Sequence, residues 1–146
     1  MAKLNKILIL NGPNLHYQGK RQTSIYGTDT FDDLKLRLNK FFPHISFEIL
    51  HTNHEGELIN WIYLADESRT PIIINPGALS HYSYALADAL AAIHLPVVEV
   101  HLSNIFARES WRQQSLTAQN AMGLISGFGI HSYVLAVYAL LDSLTD

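Results

Sequence analysis

Residues 6–27 read KILILNGPNLHYQGKRQTSIYG, and the break inside this stretch decides the fold. Lys6 to Leu10 is a short, continuous apolar run. Such runs suit a strand buried on both faces, as in a parallel sheet. Asn11 to Gly27 then follows neither a helical nor a strand period; it carries Gly, Pro and Asn at its start and Gly at its end. It is too long for an ordinary strand-to-helix connection. A long polar loop at the end of a buried strand is where α/β proteins usually keep their chemistry. This one holds Arg21 and Tyr26, a cation and a phenol within reach of each other, on a segment of about 15–27 that reads as a lid.

Outward from this stretch, strand and helix patterns alternate. Thr30 with Asp32 and Asp33 marks a helix start, and Phe31, Leu34, Leu38 and Phe41 recur at helical spacing up to Pro43. Ser46 to Leu50 alternates as a second, less buried strand; Leu58, Ile62 and Ala65 then share one helix face. Ile72 to Ile74 is a third strand, stopped by Asn75-Pro76-Gly77, and Ala78 to Tyr84 is a loop of small and hydroxyl residues. Leu86, Ala89, Leu90 and Ile93 mark a helix before Pro96, and Val97 to His101 is a fourth strand. Arg108 to Gln114 reads as a short helix, Ala121 to Ser126 as a fifth strand, and Tyr133, Val137, Leu140 or Leu141, and Leu144 as a closing amphipathic helix. That last helix is apolar enough to require burial of two faces, or of one against another subunit.

About five alternations predict an α/β fold: a five-stranded parallel sheet with helices on both faces. The chain is too short for a (β/α)₈ barrel and fits the flavodoxin-like doubly wound arrangement, strand order 2-1-3-4-5. The 146 residues fit a single domain, 1–146. With 48% hydrophobic and 16% charged residues the composition is globular. A net charge of -3 without a basic patch gives no reason to expect nucleic acid. The absence of cysteine excludes disulfides and thiolate metal sites. The N-terminal apolar run is too short for a signal or a membrane span, so the expected location is cytoplasmic.

Polar residues collect at the carboxyl ends of the strands: Asn11 and Asn14, His51 and Asn53, Asn75 and His81, then Glu99, His101 and Ser103. Ligands of open α/β sheets bind along that edge. Amides, imidazoles and hydroxyls with few carboxylates suit a small polyhydroxylated substrate, neutral or anionic, better than a hard divalent metal. Glu99 and His101 are two apart on a strand and leave the same face. A carboxylate beside an imidazole fixes its tautomer and favours its charged form, giving either a general acid or base or a structural hydrogen bond. Tyr26 is either a base made ionisable by Arg21 or a ring packing one edge of the loop. Asn14 and Asn75 could orient a water or hydroxyl, or could simply form turns. Arg112 could clamp an anion or face solvent. Gly127-Phe128-Gly129 lacks the third glycine of a phosphate loop.

Taken in order, several segments are similar to the type II 3-dehydroquinate dehydratases. They are Leu10-Asn11-Gly12-Pro13-Asn14-Leu15, Arg21 with Tyr26-Gly27, Glu55-Gly56-Glu57-Leu58, Asn75-Pro76 with His81 and Ala85 to Leu90, and Val98-Glu99-Val100-His101-x-Ser103-Asn104 with Arg108-Glu109 and Arg112. The resemblance implies a flavodoxin-like lyase that carries out the trans-dehydration of 3-dehydroquinate through an enolate, in the shikimate pathway of aromatic amino acid biosynthesis or in quinate breakdown. It implies no metal and no organic cofactor. Tyr26 would remove the α-proton as phenolate, kept ionised by Arg21. Asn14 would orient a water on the enolate oxygen, and His101, positioned by Glu99, would protonate the leaving hydroxyl. Asn75, His81 and Arg112 would bind substrate hydroxyls. Leu102 and Ser103 would hold the carboxylate near a helix start. Asp88 would reach the site of a neighbouring subunit in a trimer, the unit of a dodecamer.

The lid departs from the family's usual Arg-Glu-Pro-x-x-Tyr-Gly, reading Gln22-Thr23 after Arg21, which predicts a more flexible open lid. His51-Thr52-Asn53 stands for the usual Gln-Ser-Asn, Tyr82 adds a ring beside His81, and Ser132-Tyr133 replaces Gly-Tyr. Two other readings stay open. One is a flavin- or phosphate-binding module, though Pro13 removes a backbone donor where a phosphate cradle would need it. The other is a metal hydrolase drawing ligands from His51, His54, His81 and His101.

Overall fold

The structure is a computed structural model that describes residues 3–17, 20, 22–26 and 29–144, with the backbone only at Tyr26. Five parallel strands form one sheet in the order β2-β1-β3-β4-β5: β1 (Lys6–Asn11), β2 (Ser46–His51), β3 (Ile72–Asn75), β4 (Val97–His101) and β5 (Gly123–Ser126). The helices are α1 (Thr23–Tyr26), α2 (Phe31–Phe41), α3 (Glu55–Ser68), α4 (Tyr84–Ala92) and α5 (His131–Ser143). This is the doubly wound architecture and strand order that the alternating pattern predicts.

The period of two along each strand divides the core. Ile7, Ile9, Ile73, Val98 and Val100 point to one side, against Leu34 and Leu38 of α2 and Tyr133, Val134 and Val137 of α5. Leu8, Leu10, Ile72, Ile74 and Val97 point to the other, against Leu58 and Ile62 of α3 and Leu86 and Leu90 of α4. Because β1, β3 and β4 are covered on both sides, their sequences are almost uninterrupted apolar runs. The capping box expected at Thr30 is present: its hydroxyl accepts from the Asp33 N–H, and Asp33 Oδ2 accepts from the Thr30 N–H at 2.7 Å.

Several boundaries differ from the sequence reading. Asn11 extends β1, and the segment beyond it contains a 3₁₀ turn at Leu15–Tyr17 and the single turn of α1. Phe41 lies outside the α2 stripe at 47% exposure, and Phe42, turned by the end of the helix, is buried instead. Arg108 to Gln114 forms no α-helix; Arg112 and Gln113 donate three residues back, leaving a 3₁₀ turn at Ser110–Arg112. The Ala78 to Tyr84 loop is mostly a 3₁₀ turn, Gly77–His81, and Tyr84 already belongs to α4. A further turn at Ala118–Asn120 delays β5 to Gly123. α5 buries Tyr133, Val134, Ala136, Val137 and Leu140 within the chain, against β3, β4, β5 and α2, while Tyr138 stays exposed.

Candidate active site

A close approach of two loops builds the carboxyl edge of the sheet. A Cβ at Gly12 would stand 2.5 Å from the Pro76 carbonyl oxygen, so only glycine lets the β1 loop lie against the β3 loop. Gly12 N–H donates to the Asn75 carbonyl at 2.8 Å and seals the contact. The chain then turns through Asn14, whose φ of 69 lies in the left-handed region that Asn tolerates best among non-glycine residues. Its N–H donates to Asn53 Oδ1 at 2.9 Å, tying the turn to the end of β2. Asn14 therefore is a turn former, as one reading had it, and also lines the cleft beside Asn75.

That cleft is open to solvent. It brings together Asn14, Asn75, His81, His101, Leu102, Ser103 and Arg112. Among the described residues no carboxylate lines it, and Arg108 and Arg112 both do. Arg112 does not stand in solvent: its guanidinium lies 4.0 Å from the centre of the Trp111 ring, and its Nε donates to Glu109. Arg108 Nη1 donates to Ser103 Oγ at 3.1 Å. The turn after Ser103 is a three-residue 3₁₀ element, Ile105–Ala107, capped by Asn104, and not the helix start expected there.

Asn11 and Asn75 are register partners on β1 and β3 and face α5. The buried Tyr133 hydroxyl donates to Asn11 Oδ1 and accepts from Asn75 Nδ2 at 3.2 Å. Burial pushes the Tyr133 phenol far above its ordinary range, so it stays a neutral donor. Asn75 Oδ1 accepts from the Gly77 N–H at 3.1 Å, which leaves one amide hydrogen of the side chain for a ligand.

On β4, Glu99 and His101 leave the same face, and His101 Nε2 donates to Glu99 Oε2 at 2.8 Å. Glu99 is fully buried below the imidazole and does not itself line the cleft. The His81 ring stacks on His101 with centroids 5.9 Å apart. His81 Nδ1 donates to the Gln114 carbonyl at 2.8 Å, leaving Nε2 as an acceptor. Burial holds the His81 imidazole below its ordinary range against that carbonyl's opposing pull, and His101 and Arg112 lower it further.

Not every expected residue joins this group. Arg21 and the side chain of Tyr26 lie outside the described residues; the Tyr26 backbone ends α1. Asp88 is exposed on α4 and does not line the cleft. His51 packs edge-on against Phe31, also away from it. Among the described residues no three His, Cys, Asp or Glu side chains come together as a metal-binding group, which a histidine metal centre would require. Sequence reasoning missed Arg108, although it stands inside the quoted Val98 to Arg112 match. It also missed Ser115 and Thr117, which bond to Glu99 and carry no local signal.

The family model described as dehydroquinase class II matches residues 5–141. The chain is 53% identical over 133 residues to the 3-dehydroquinate dehydratase of Bacillus licheniformis, covering 90% of this chain and 92% of that one. It is 48% identical over 141 residues to the 3-dehydroquinate dehydratase of Halalkalibacterium halodurans, covering 95% and 97%. The crystal structure of a type II dehydroquinase from Propionibacterium acnes superposes with a TM-score of 0.90 at 42% identity, covering 97% of this chain and 99% of that one.

Proposed function

The chain belongs to the class II dehydroquinases and catalyses the dehydration of 3-dehydroquinate, and we propose that it does so in the cleft at the ends of β3 and β4 by a two-sided acid–base mechanism. Tyr26, as phenolate beside Arg21, takes the α-proton of the ketone from the lid side. The enolate oxygen is met by a water oriented by Asn14. His101, held by Glu99, protonates the leaving hydroxyl from the floor, and 3-dehydroshikimate forms with loss of water. Asn75, His81 and Arg112 bind substrate hydroxyls, and Ser103 with the Leu102 backbone holds the carboxylate.

The observation that carries this reading is the buried Glu99–His101 pair opening into a cleft with two guanidinium groups and no lining carboxylate among the described residues. An anionic, hydroxyl-rich substrate matches that field. Neutral His81 has an acceptor nitrogen for a substrate hydroxyl, a role that an imidazolium would lose.

The assembly and location belong to the same proposal. The protein is a cytoplasmic, single-domain enzyme; among the described residues no helix is long and apolar enough to cross a membrane. Three copies form the working unit, with the exposed Asp88 of α4 directed to a neighbouring cleft, and four such trimers form a dodecamer. Size-exclusion chromatography with light scattering reads the mass directly. A direct assay on 3-dehydroquinate, following the ultraviolet absorbance of the conjugated enone with and without chelator, tests the chemistry. Equal turnover in both buffers is expected. No enone, or loss of turnover with chelator, overturns the proposal.

A further inference from the structure

Glu99 is a carboxylate at 0% exposure on the strand face that otherwise packs against α3 and α4. An ionised carboxylate is costly there unless donors surround it. Thr117 Oγ1 donates to Oε1, Ser115 Oγ donates to Oε2 at 2.7 Å, and His101 Nε2 donates to Oε2 at 2.8 Å. Ser115 Oγ also accepts from the Ala118 N–H at 3.1 Å and lies 3.2 Å from Thr117 Oγ1; an ionised carboxylate can only accept, so each hydroxyl gives its proton to Glu99. A carboxylate receiving three donors acts only as an acceptor. The His101 nitrogen that faces it therefore carries a proton, and Nδ1 is the ring nitrogen left for the reaction.

We propose that Ser115 and Thr117 are positioning residues for the dehydration: they hold Glu99 as a fixed acceptor and thereby set the ring orientation and tautomer of His101. This rests on His101 being the general acid. The segment that carries the two hydroxyls also fixes the second imidazole. The Gln114 carbonyl accepts from His81 Nδ1, and the Leu116 N–H donates to the Ser80 carbonyl at 2.7 Å. Residues 114–117 thus tie the His81 turn to β4 and hold the two stacked rings in one frame. Hydroxyls that merely satisfied a buried carboxylate would affect folding alone. Hydroxyls that set His101 act on the chemical step.

The test compares Thr117→Val, Ser115→Ala, their double variant and Thr117→Ser with the parent and His101→Ala. The readouts are kcat and KM on 3-dehydroquinate, with rescue by the conservative variant. Thr117→Val and Ser115→Ala should each lower kcat by roughly 10-fold and the double variant by roughly 100-fold, with KM within about threefold. Thr117→Ser, which restores the donor, should recover most of the loss. The other charged or titratable groups that line the cleft with His101, namely His81, Arg108 and Arg112, are the same in all of these variants. A double variant within about twofold of parental kcat while His101→Ala is inactive overturns the inference and leaves the acid in place. A rise in KM at constant kcat overturns it too. Parental turnover by His101→Ala overturns both readings. If Thr117→Val is insoluble, Ser115→Ala decides by the same criteria.

Discussion

The floor of the cleft and the segment that precedes α2 are built to opposite specifications. On the floor and directly beneath it, Asn75, Glu99, His101 and Ser103 are exposed by 2%, 0%, 5% and 6%, and each has a hydrogen-bond partner from another part of the chain or its own strand. The described residues from His16 to Ile25 are all exposed, Tyr17 at 54% and Ile25 at 38%. Gln22 there has a φ of 31, a region that side chains rarely adopt. The proposed mechanism gives the difference a chemical rationale. An acid that needs one tautomer gains from a strand end with locked partners. A base that must meet the substrate as water leaves gains from a segment that closes over it.

The largest effects come from removing one reacting group on each side. Tyr26→Phe and His101→Ala should each lower kcat by about 10² to 10⁴ while KM changes little, measured by enone absorbance. Near-parental turnover in Tyr26→Phe would break the comparison, because the floor would then act alone. The next effect concerns the floor's rigidity. Tyr133→Phe removes the hydroxyl shared by Asn11 and Asn75 and leaves buried amide groups unsatisfied, at a cost of about 1–3 kcal/mol. Urea unfolding measures this, and an unchanged midpoint would mean that the network does not brace the floor.

A smaller effect sharpens the lid side. Proline suits position 23 as the first residue of α1, yet it disfavours a helical or left-handed residue before it. Gln22→Glu with Thr23→Pro should therefore move residue 22 to extended backbone and narrow the open lid. Lower lid B-factors in matched apo crystals are expected, and equal ones count against it.

The smallest effect is a pH dependence. Burial lowers His51 and His81 below their ordinary value of 6.5, so the unfolded chain takes up protons first as pH falls. Their stabilising contribution is complete above pH 6.5 and declines as pH falls through that value toward the folded ones. The urea midpoint should drop between pH 7.5 and 5.5 by roughly this linkage, and His51→Gln should flatten the drop. An identical slope in the variant would remove His51 from the account.

The floor was legible in the sequence for the same reason that it is rigid. Strands buried on both faces read as apolar runs, so a polar residue at the end of one stands out, as Asn11, Asn75 and His101 do. Period two alone puts Glu99 and His101 on one face. Contacts made by a returning chain left no such mark. Tyr133 meets Asn11 across 122 positions, and the hydroxyls of Ser115 and Thr117 reach Glu99 from an irregular segment with no period to read. Helical spacing likewise favoured Phe41, but the turn at the end of α2 buried Phe42 in its place. The jobs proposed for Arg21 and Tyr26 rest on the family pattern, because the sequence around them has no periodicity to constrain them.

The division of labour between lid base and floor acid is tested most directly by solvent isotope exchange. 3-Dehydroquinate is incubated in deuterated buffer with His101→Ala or with Tyr26→Phe, and the recovered substrate is read by NMR. The account predicts that His101→Ala exchanges the α-proton while forming almost no enone, and that Tyr26→Phe does neither. Exchange by Tyr26→Phe at the rate of the parent enzyme would contradict it.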